Sequence, residues 1–238
     1  MKAFLALLNI HPHDPGVLRE LVPLLTSLKL YPKAAGLYLN AFDHFQTICP
    51  HVDDETIDQI SSFTYADLET ISDILNHQEQ FVKTVAVIRT GVRWLQGREK
   101  ETGWDALHDD REYDTMRKTR DGWERDARYL EEAPVYELDV RLRLRLGVAR
   151  MGEGKIEEAQ VGSSGVVCIW EQELTRASSQ RHFAVVLQED VAEFPELFGT
   201  MGDAYFNRKM YDDALDTFQI MAENEEVSAF KRLSEKQR

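Results

Sequence analysis

The chain lacks most of the features from which a biochemical activity is usually read. Its 238 residues hold two cysteines, Cys49 and Cys168, too far apart for a zinc-ligand spacing and too few for a disulfide framework, which fits a reducing compartment. Positive charge is scarce, with 28 lysines and arginines against 42 carboxylates and a formal net charge of −14. A surface of that balance argues against non-specific nucleic-acid or anionic-membrane binding and directs attention to protein partners. No uninterrupted apolar run is long enough to span a bilayer. The opening MKAFLALLNIHPHD has one lysine and a short apolar run, but not the small-residue cleavage site of a signal peptide.

Catalytic and metal-binding patterns are missing too. His11 and His13 flank Pro12 without a Cys, Asp or Glu at ligand spacing. Asp110, Glu112 and Asp114 are spaced like the start of a calcium loop, but the required glycine is absent and Met116 follows. Ser163 and Ser164 beside Gly165 lack the frame of a nucleophile elbow, and Cys168 sits among apolar residues without a histidine at a fixed offset. No convergent polar set marks an enzyme, and no cofactor or metal is implied.

What is present is a repeat. Pro195 to Met221 reads PELFGTMGDAYFNRKMYDDALDTFQIM, with Phe198, Met201, Gly202 and Tyr205, then Tyr211, then Ala214, Phe218 and Met221. That is the tetratricopeptide pattern of two short amphipathic helices whose small residues, Gly202 and Ala214, stand where the backbones come closest. Asn207-Arg208-Lys209 has no apolar residue and reads as the turn between antiparallel helices. Pro15 to Ala41 repeats the pattern with Leu18, Leu21, Val22, Leu25, Tyr31, Ala34 and Tyr38, and Tyr65 to Gly91 does so with Leu68, Ile71, Ser72, Leu75, Phe81, Thr84 and Ile88. The apolar run continues to Trp94 and should stop near Gly97 in a left-handed turn. Phe4, Leu7 and Pro12 fit the second half of a preceding repeat, so the chain reads as a fragment of a longer array.

The predicted fold is therefore all-α, a superhelical array of helix hairpins. Residues 1–98 hold a half repeat and two repeats, with a connector at 46–60. Residues 99–133 form a charged, mainly acidic loop, whose Trp104, Tyr113, Trp123 and Tyr129 favour partial docking. Residues 134–221 hold further repeats, and 222–238 form a tail that could cap the array. In the third block a helix starting near Tyr136 carries Gly147, with a turn at Gly154 and Ala159 as the next small contact residue. The pattern then breaks from Val161 to Gln180 and resumes at Phe183 and Val186. Val140 and Pro195 open successive repeats 55 positions apart, and setting aside those twenty leaves 35, close to the roughly 34 expected of a repeat. The stretch reads as an insertion, and its coding possibilities fit a retained short intron: valine codons begin with GT and glutamine can be CAG.

The packing residues expected from this register are Ala34, Gly147, Ala159, Gly202, Tyr205, Ala214 and Phe218. Polar residues beside the apolar seams, Asp73, Asn76, Arg141, Asp203 and Asn207, are the candidates for a concave, partner-binding groove. Arg141, Arg143 and Arg145 alternate with leucines, which reads either as ion pairs flanking a helix seam or as a basic strip for an acidic partner or for the chain's own acidic loop.

The segments RTGVRWLQGRE (89–99), WDALHDDREYD (104–114) and VYELDVRLRLRLGVARMGEGKIEEA (135–159), followed by the repeat at Pro195, resemble the tetratricopeptide subunit of fungal RNA polymerase III transcription factor IIIC. The resemblance covers about Pro15 to Glu226 apart from the twenty-residue interruption. It implies a non-catalytic nuclear scaffold that contacts other factor IIIC subunits and helps to recruit initiation factor IIIB, without sequence-specific nucleic-acid binding of its own and without a membrane role. A generic tetratricopeptide adaptor or co-chaperone clamp is the alternative, although Asp73 and Asp203 carry the wrong sign for gripping a peptide carboxylate.

Overall fold

The computed structural model describes residues 6, 10, 12–48, 63–100, 110–113, 138–164, 179, 180 and 182–236, with the backbone alone at 48, 111, 155–164 and 225–236. These residues are helical with no strand among them. They fall into two compact units, Met1–Leu138 and Asp139–Arg238.

The first unit contains two helix hairpins. Helix α1 spans Pro15–Ser27 and α2 spans Tyr31–Ile48; α3 spans Tyr65–His77 and α4 spans Phe81–Leu95. Asp14 starts α1 by accepting the backbone N–H groups of Gly16 at 2.8 Å and Val17 at 3.3 Å, which satisfies donors that the helix itself cannot. Pro15 in the first turn loses no helical bond, since its missing N–H would have had no partner there. The second unit opens on α5, Val140–Ser164, and closes on a third hairpin of α6, Pro195–Asn207, and α7, Tyr211–Lys236.

The three hairpins follow one plan. Each first helix has 13 residues and ends on a residue with positive φ: Lys29 at 59°, Glu79 at 56° and Lys209 at 61°. Beyond it, the N–H groups of Leu30, Gln80 and Met210 reach back to the carbonyls of Leu25, Leu75 and Tyr205 at 2.9, 2.9 and 3.1 Å. This is a Schellman closure. It folds the chain back within three residues, so that an aromatic residue, Tyr31, Phe81 or Tyr211, begins each second helix.

Matching positions of the three first helices are buried: Leu18, Leu68 and Phe198; Leu21, Ile71 and Met201; Leu25, Leu75 and Tyr205. On the second helices Ala34, Thr84 and Ala214 meet them. The third hairpin is antiparallel, because Phe218 lies over Gly202 while Met221, further along α7, lies over the earlier Gly199. At Gly202 the two helices come close, and a Cβ there would lie 2.6 Å from the Phe218 ring as it stands. Gly91 is in the same position on α4, where a Cβ would stand 2.5 Å from a methyl of Leu68. As expected from sequence, the chain leaves α4 through Gly97, at φ 66°.

Two readings change against the structure. Helix α5 begins at Val140, with Asp139 accepting the Arg141 N–H at 2.8 Å, rather than near Tyr136. It also runs through Gly152 and Gly154 to Ser164 without the expected turn. Glu153 pairs with Arg150 one turn back at 2.7 Å, and the residues that follow, KIEEAQ, are good helix formers, so a glycine cost of about 1 kcal/mol does not break the helix. The backbone after Met221, read as a tail that could cap the array, is helical to Lys236 as a continuation of α7. The half repeat before Pro12, the connector after Ile48 and most of the acidic loop lie outside the described residues.

Although α5 and Phe183 do not share a helix, Phe183 packs on it. A Cβ at Gly147 would lie 2.8 Å from the Phe183 ring, which is the contact that Phe218 makes with Gly202. Phe183 and Val186 join Leu144, Leu197, Phe198, Met201, Tyr205 and Ala214 in the core of the second unit, with Phe183 edge-on to Tyr205 at 5.1 Å.

Candidate interaction surfaces

The predicted groove residues stand on helices, Asp73 and Asn76 in the first unit and Arg141, Asp203 and Asn207 in the second. Asp73 and Asp203 occupy the same register on α3 and α6 and are both exposed, as is Asn207; Asn76 is half-buried near the end of α3. Arg141 is half-exposed at the start of α5, 3.7 Å from Glu196 and 5.5 Å above the Phe194 ring. Among the packing residues, Ala34, Gly147, Gly202, Tyr205 and Ala214 are buried. Phe218 covers Gly202 but remains 37% exposed, and the Ala159 side chain lies outside the described residues. Burial, reinforced by the charge of Asp213, pushes the Tyr205 phenol up to about 12.

The arginine–leucine alternation belongs to a helix whose two faces are both covered. Leu142, Leu144 and Leu146 are buried, Arg143 is buried beside them, and Arg141 and Arg145 lie further out. Nearby, Arg208 of the third hairpin's turn donates to the Met151 carbonyl of α5.

Two polar clusters in the first unit were not legible as sites. The first joins the hairpins through Asp67, the third residue of α3, which is almost completely buried. Its carboxylate takes Nε of Arg19 at 2.9 Å and Nη2 at 2.5 Å, the Tyr38 hydroxyl at 3.2 Å and the backbone N–H of Thr64 at 2.8 Å. One side chain thereby caps α3 and ties it to α1 and α2. Burial and the Asp67 charge raise the Tyr38 phenol well above its ordinary range, while the hydrogen bond to Asp67 raises Arg19.

The second cluster places the acidic segment on α4. Arg89 and Arg93 are buried on that helix, Arg98 is buried just beyond it, and Asp110, Glu112 and Tyr113 are buried against them around a 3-10 turn at Arg111–Tyr113. Nε and Nη2 of Arg93 both reach Oε2 of Glu112 at 3.0 Å, and Nε of Arg89 lies 3.8 Å from Oε1 of Glu112 and 3.9 Å from Oδ1 of Asp110. Burial, then the charge of Glu112, holds the Tyr113 phenol protonated far above its usual range. Residues 110–113 thus meet α4, and two of the three carboxylates spaced like a calcium loop, Asp110 and Glu112, face guanidinium groups, while Asp114 lies outside the described residues. The sequence signal was two arginines four apart inside an apolar run, one turn of a single helix face.

Also in the first unit, His13 stacks on His44 with ring centroids 4.0 Å apart. No group of three or more metal-ligating side chains occurs among the described residues, and no helix among them is long and apolar enough to cross a membrane.

No protein-family model matches the chain. It is 23% identical over 252 aligned residues to transcription factor tau subunit sfc4 of Schizosaccharomyces pombe, an alignment that takes in 98% of this chain and 24% of the relative. It is 24% identical over 156 residues to the transcription factor tau 131 kDa subunit of Saccharomyces cerevisiae, covering 64% of this chain and 13% of that protein. The chain thus spans a quarter or less of the length of these relatives, and it is a distant homologue of fungal transcription factor tau subunits.

Proposed function

We propose that the chain is a non-catalytic scaffold of tetratricopeptide hairpins belonging to a subunit of transcription factor tau, the fungal factor IIIC. In this reading it works in the nucleus, contacts other subunits of that factor, and assists recruitment of initiation factor IIIB for RNA polymerase III transcription. The observation that carries the reading is the match to a tau subunit along 98% of the chain. The three hairpins of one plan support the repeat assignment, since such units cannot bury their apolar faces alone and stack into arrays. The exposed residues of the first helices, Asp73, Asp203 and Asn207, with Arg141, supply its polar contacts to partners. A direct test is a pull-down with the purified chain against recombinant factor IIIC and IIIB components. Retention of at least one of them supports the scaffold, whereas retention only of a peptide with an acidic carboxy-terminal motif points to a co-chaperone clamp.

We further infer that Val161 to Gln180 is an insertion into a hairpin whose first helix is the start of α5, and that it is a translated intron. Support comes from Phe183, which makes against Gly147 the contact that Phe218 makes against Gly202, as it should if twenty residues were removed. Twenty codons are sixty nucleotides, so retention keeps the reading frame. Messenger RNA sequencing decides the point: transcripts mostly lacking those sixty nucleotides are expected, and transcripts mostly retaining them would overturn it.

A further inference from the structure

Burying a guanidinium costs several kcal/mol unless a carboxylate in good geometry offsets it, and the first unit buries three within ten residues: Arg89, Arg93 and Arg98 are 7%, 3% and 3% exposed. For Arg89 and Arg93, offsetting groups come from Asp110 and Glu112, whose carboxylates are buried beside them, with the Tyr113 side chain buried next to Glu112. The segment's own structure is a single 3-10 turn, closed by the Tyr113 N–H to the Asp110 carbonyl at 3.1 Å, and Asp110 holds a positive φ of 52°. A short stretch anchored by side chains on a preformed helix face is how a linear peptide is held by its receptor.

We propose that Arg89 and Arg93 form a recognition site for a short acidic segment of the pattern Asp-x-Glu-Tyr, that Asp110–Tyr113 fills this site in cis, and that a partner protein carrying the same pattern exchanges with it. The chemistry is selective on three counts. Both nitrogens of Arg93 converge on one carboxylate oxygen of Glu112, an arrangement in which a planar guanidinium outperforms lysine. A second carboxylate two residues earlier lies beside Arg89. The third anchor is a buried phenol, which a nucleic-acid backbone lacks, and the chain's net charge of −14 disfavours long polyanions. Exchange is feasible because a buried ion pair adds little net stability over the alternatives available to it, so an incoming segment with the same three anchors replaces what leaves. This inference does not depend on the assignment to factor IIIC.

The test uses the full chain with Asp110→Asn, Glu112→Gln and Tyr113→Ala, which empties the site of its anchors, and a labelled peptide of sequence HDDREYD followed by fluorescence anisotropy. The emptied chain should remain helical by circular dichroism and bind the peptide about thirtyfold or more tighter than the unaltered chain does. Adding Arg93→Glu to the emptied chain should abolish binding, and a peptide of sequence HDNRQAD should not bind. Unfolding of the emptied chain would overturn the proposal, since the segment would then be an obligatory part of the core. So would a folded emptied chain that ignores the peptide, equal binding of the two peptides, or preference for duplex DNA of equal charge.

Discussion

Gly91 and Gly202 both lie where two helices touch, yet replacing each by alanine should have different effects, because what blocks the new Cβ differs in its freedom to move. At Gly91 the Cβ would stand 2.5 and 2.9 Å from the two methyls of Leu68 and 3.1 Å from Cζ of Phe42. Leu68 and Phe42 are buried, so neither can yield without displacing α2 or α3. At Gly202 the obstruction is the Phe218 ring at 2.6 and 2.7 Å, and that ring is 37% exposed and free to swing towards solvent. Overpacking a filled core costs about 1–3 kcal/mol, and alanine returns about 1 kcal/mol over glycine in a helix. Taking the upper end of that range at Gly91, where neither neighbour yields, and the lower end at Gly202, Gly91→Ala should lose about 2 kcal/mol net and Gly202→Ala about none. With about 2–4 °C per kcal/mol in a chain of this size, the first substitution lowers Tm by about 4–8 °C. Trp94 fluorescence reports the first unit, since the indole is buried near Phe42 and Phe63, and circular dichroism at 222 nm follows the whole chain. Equal effects of the two substitutions, or a stabilised Gly91→Ala, would refute the reasoning.

Asp67→Ala should destabilise the first unit by about 2–3 kcal/mol, below the full cost of breaking a buried pair because Arg19 is half-exposed and can rehydrate, as urea denaturation would measure. Glu79→Gly should stabilise it by about 0.5–1 kcal/mol by relieving the left-handed backbone at φ 56°; a lower midpoint in the same assay would count against the Schellman closure. Reversing Asp203 and Arg141 together should weaken partner binding while leaving the helical signal unchanged, and unaltered binding rejects their place in a groove. His13 is held below its ordinary value of 6.5, first by burial and then by His44. With a folded pKa below the unfolded one, its contribution to stability is present above pH 6.5 and is lost as pH falls through that value towards the folded pKa. In an NMR titration His44→Ala should move His13 upwards, part of the way to 6.5.

The hairpins were legible because their packing is local. Leu18, Leu21, Val22 and Leu25 recur as Leu68, Ile71, Ser72 and Leu75 and as Phe198, Met201, Gly202 and Tyr205, and three- and four-residue spacing alone places them on one face. The turn at Gly154 was misread because glycine permits a turn without requiring one, and the residues after it favour helix. The two polar clusters were invisible for a different reason. Asp67 meets Arg19 across 48 residues and Glu112 meets Arg93 across 19, and no local periodicity encodes which distant carboxylate a given arginine will find. That Asp110 and Glu112 would meet Arg89 and Arg93 on α4 could not be read from their spacing.

If the proposed scaffold role within factor IIIC holds, affinity purification of the endogenous protein from nuclear extract, followed by mass spectrometry of what is retained, should recover other factor IIIC subunits together with initiation factor IIIB components, with transfer-RNA genes enriched in the co-purified chromatin. Recovery of chaperones, or of an unrelated assembly with no such genes enriched, would contradict it.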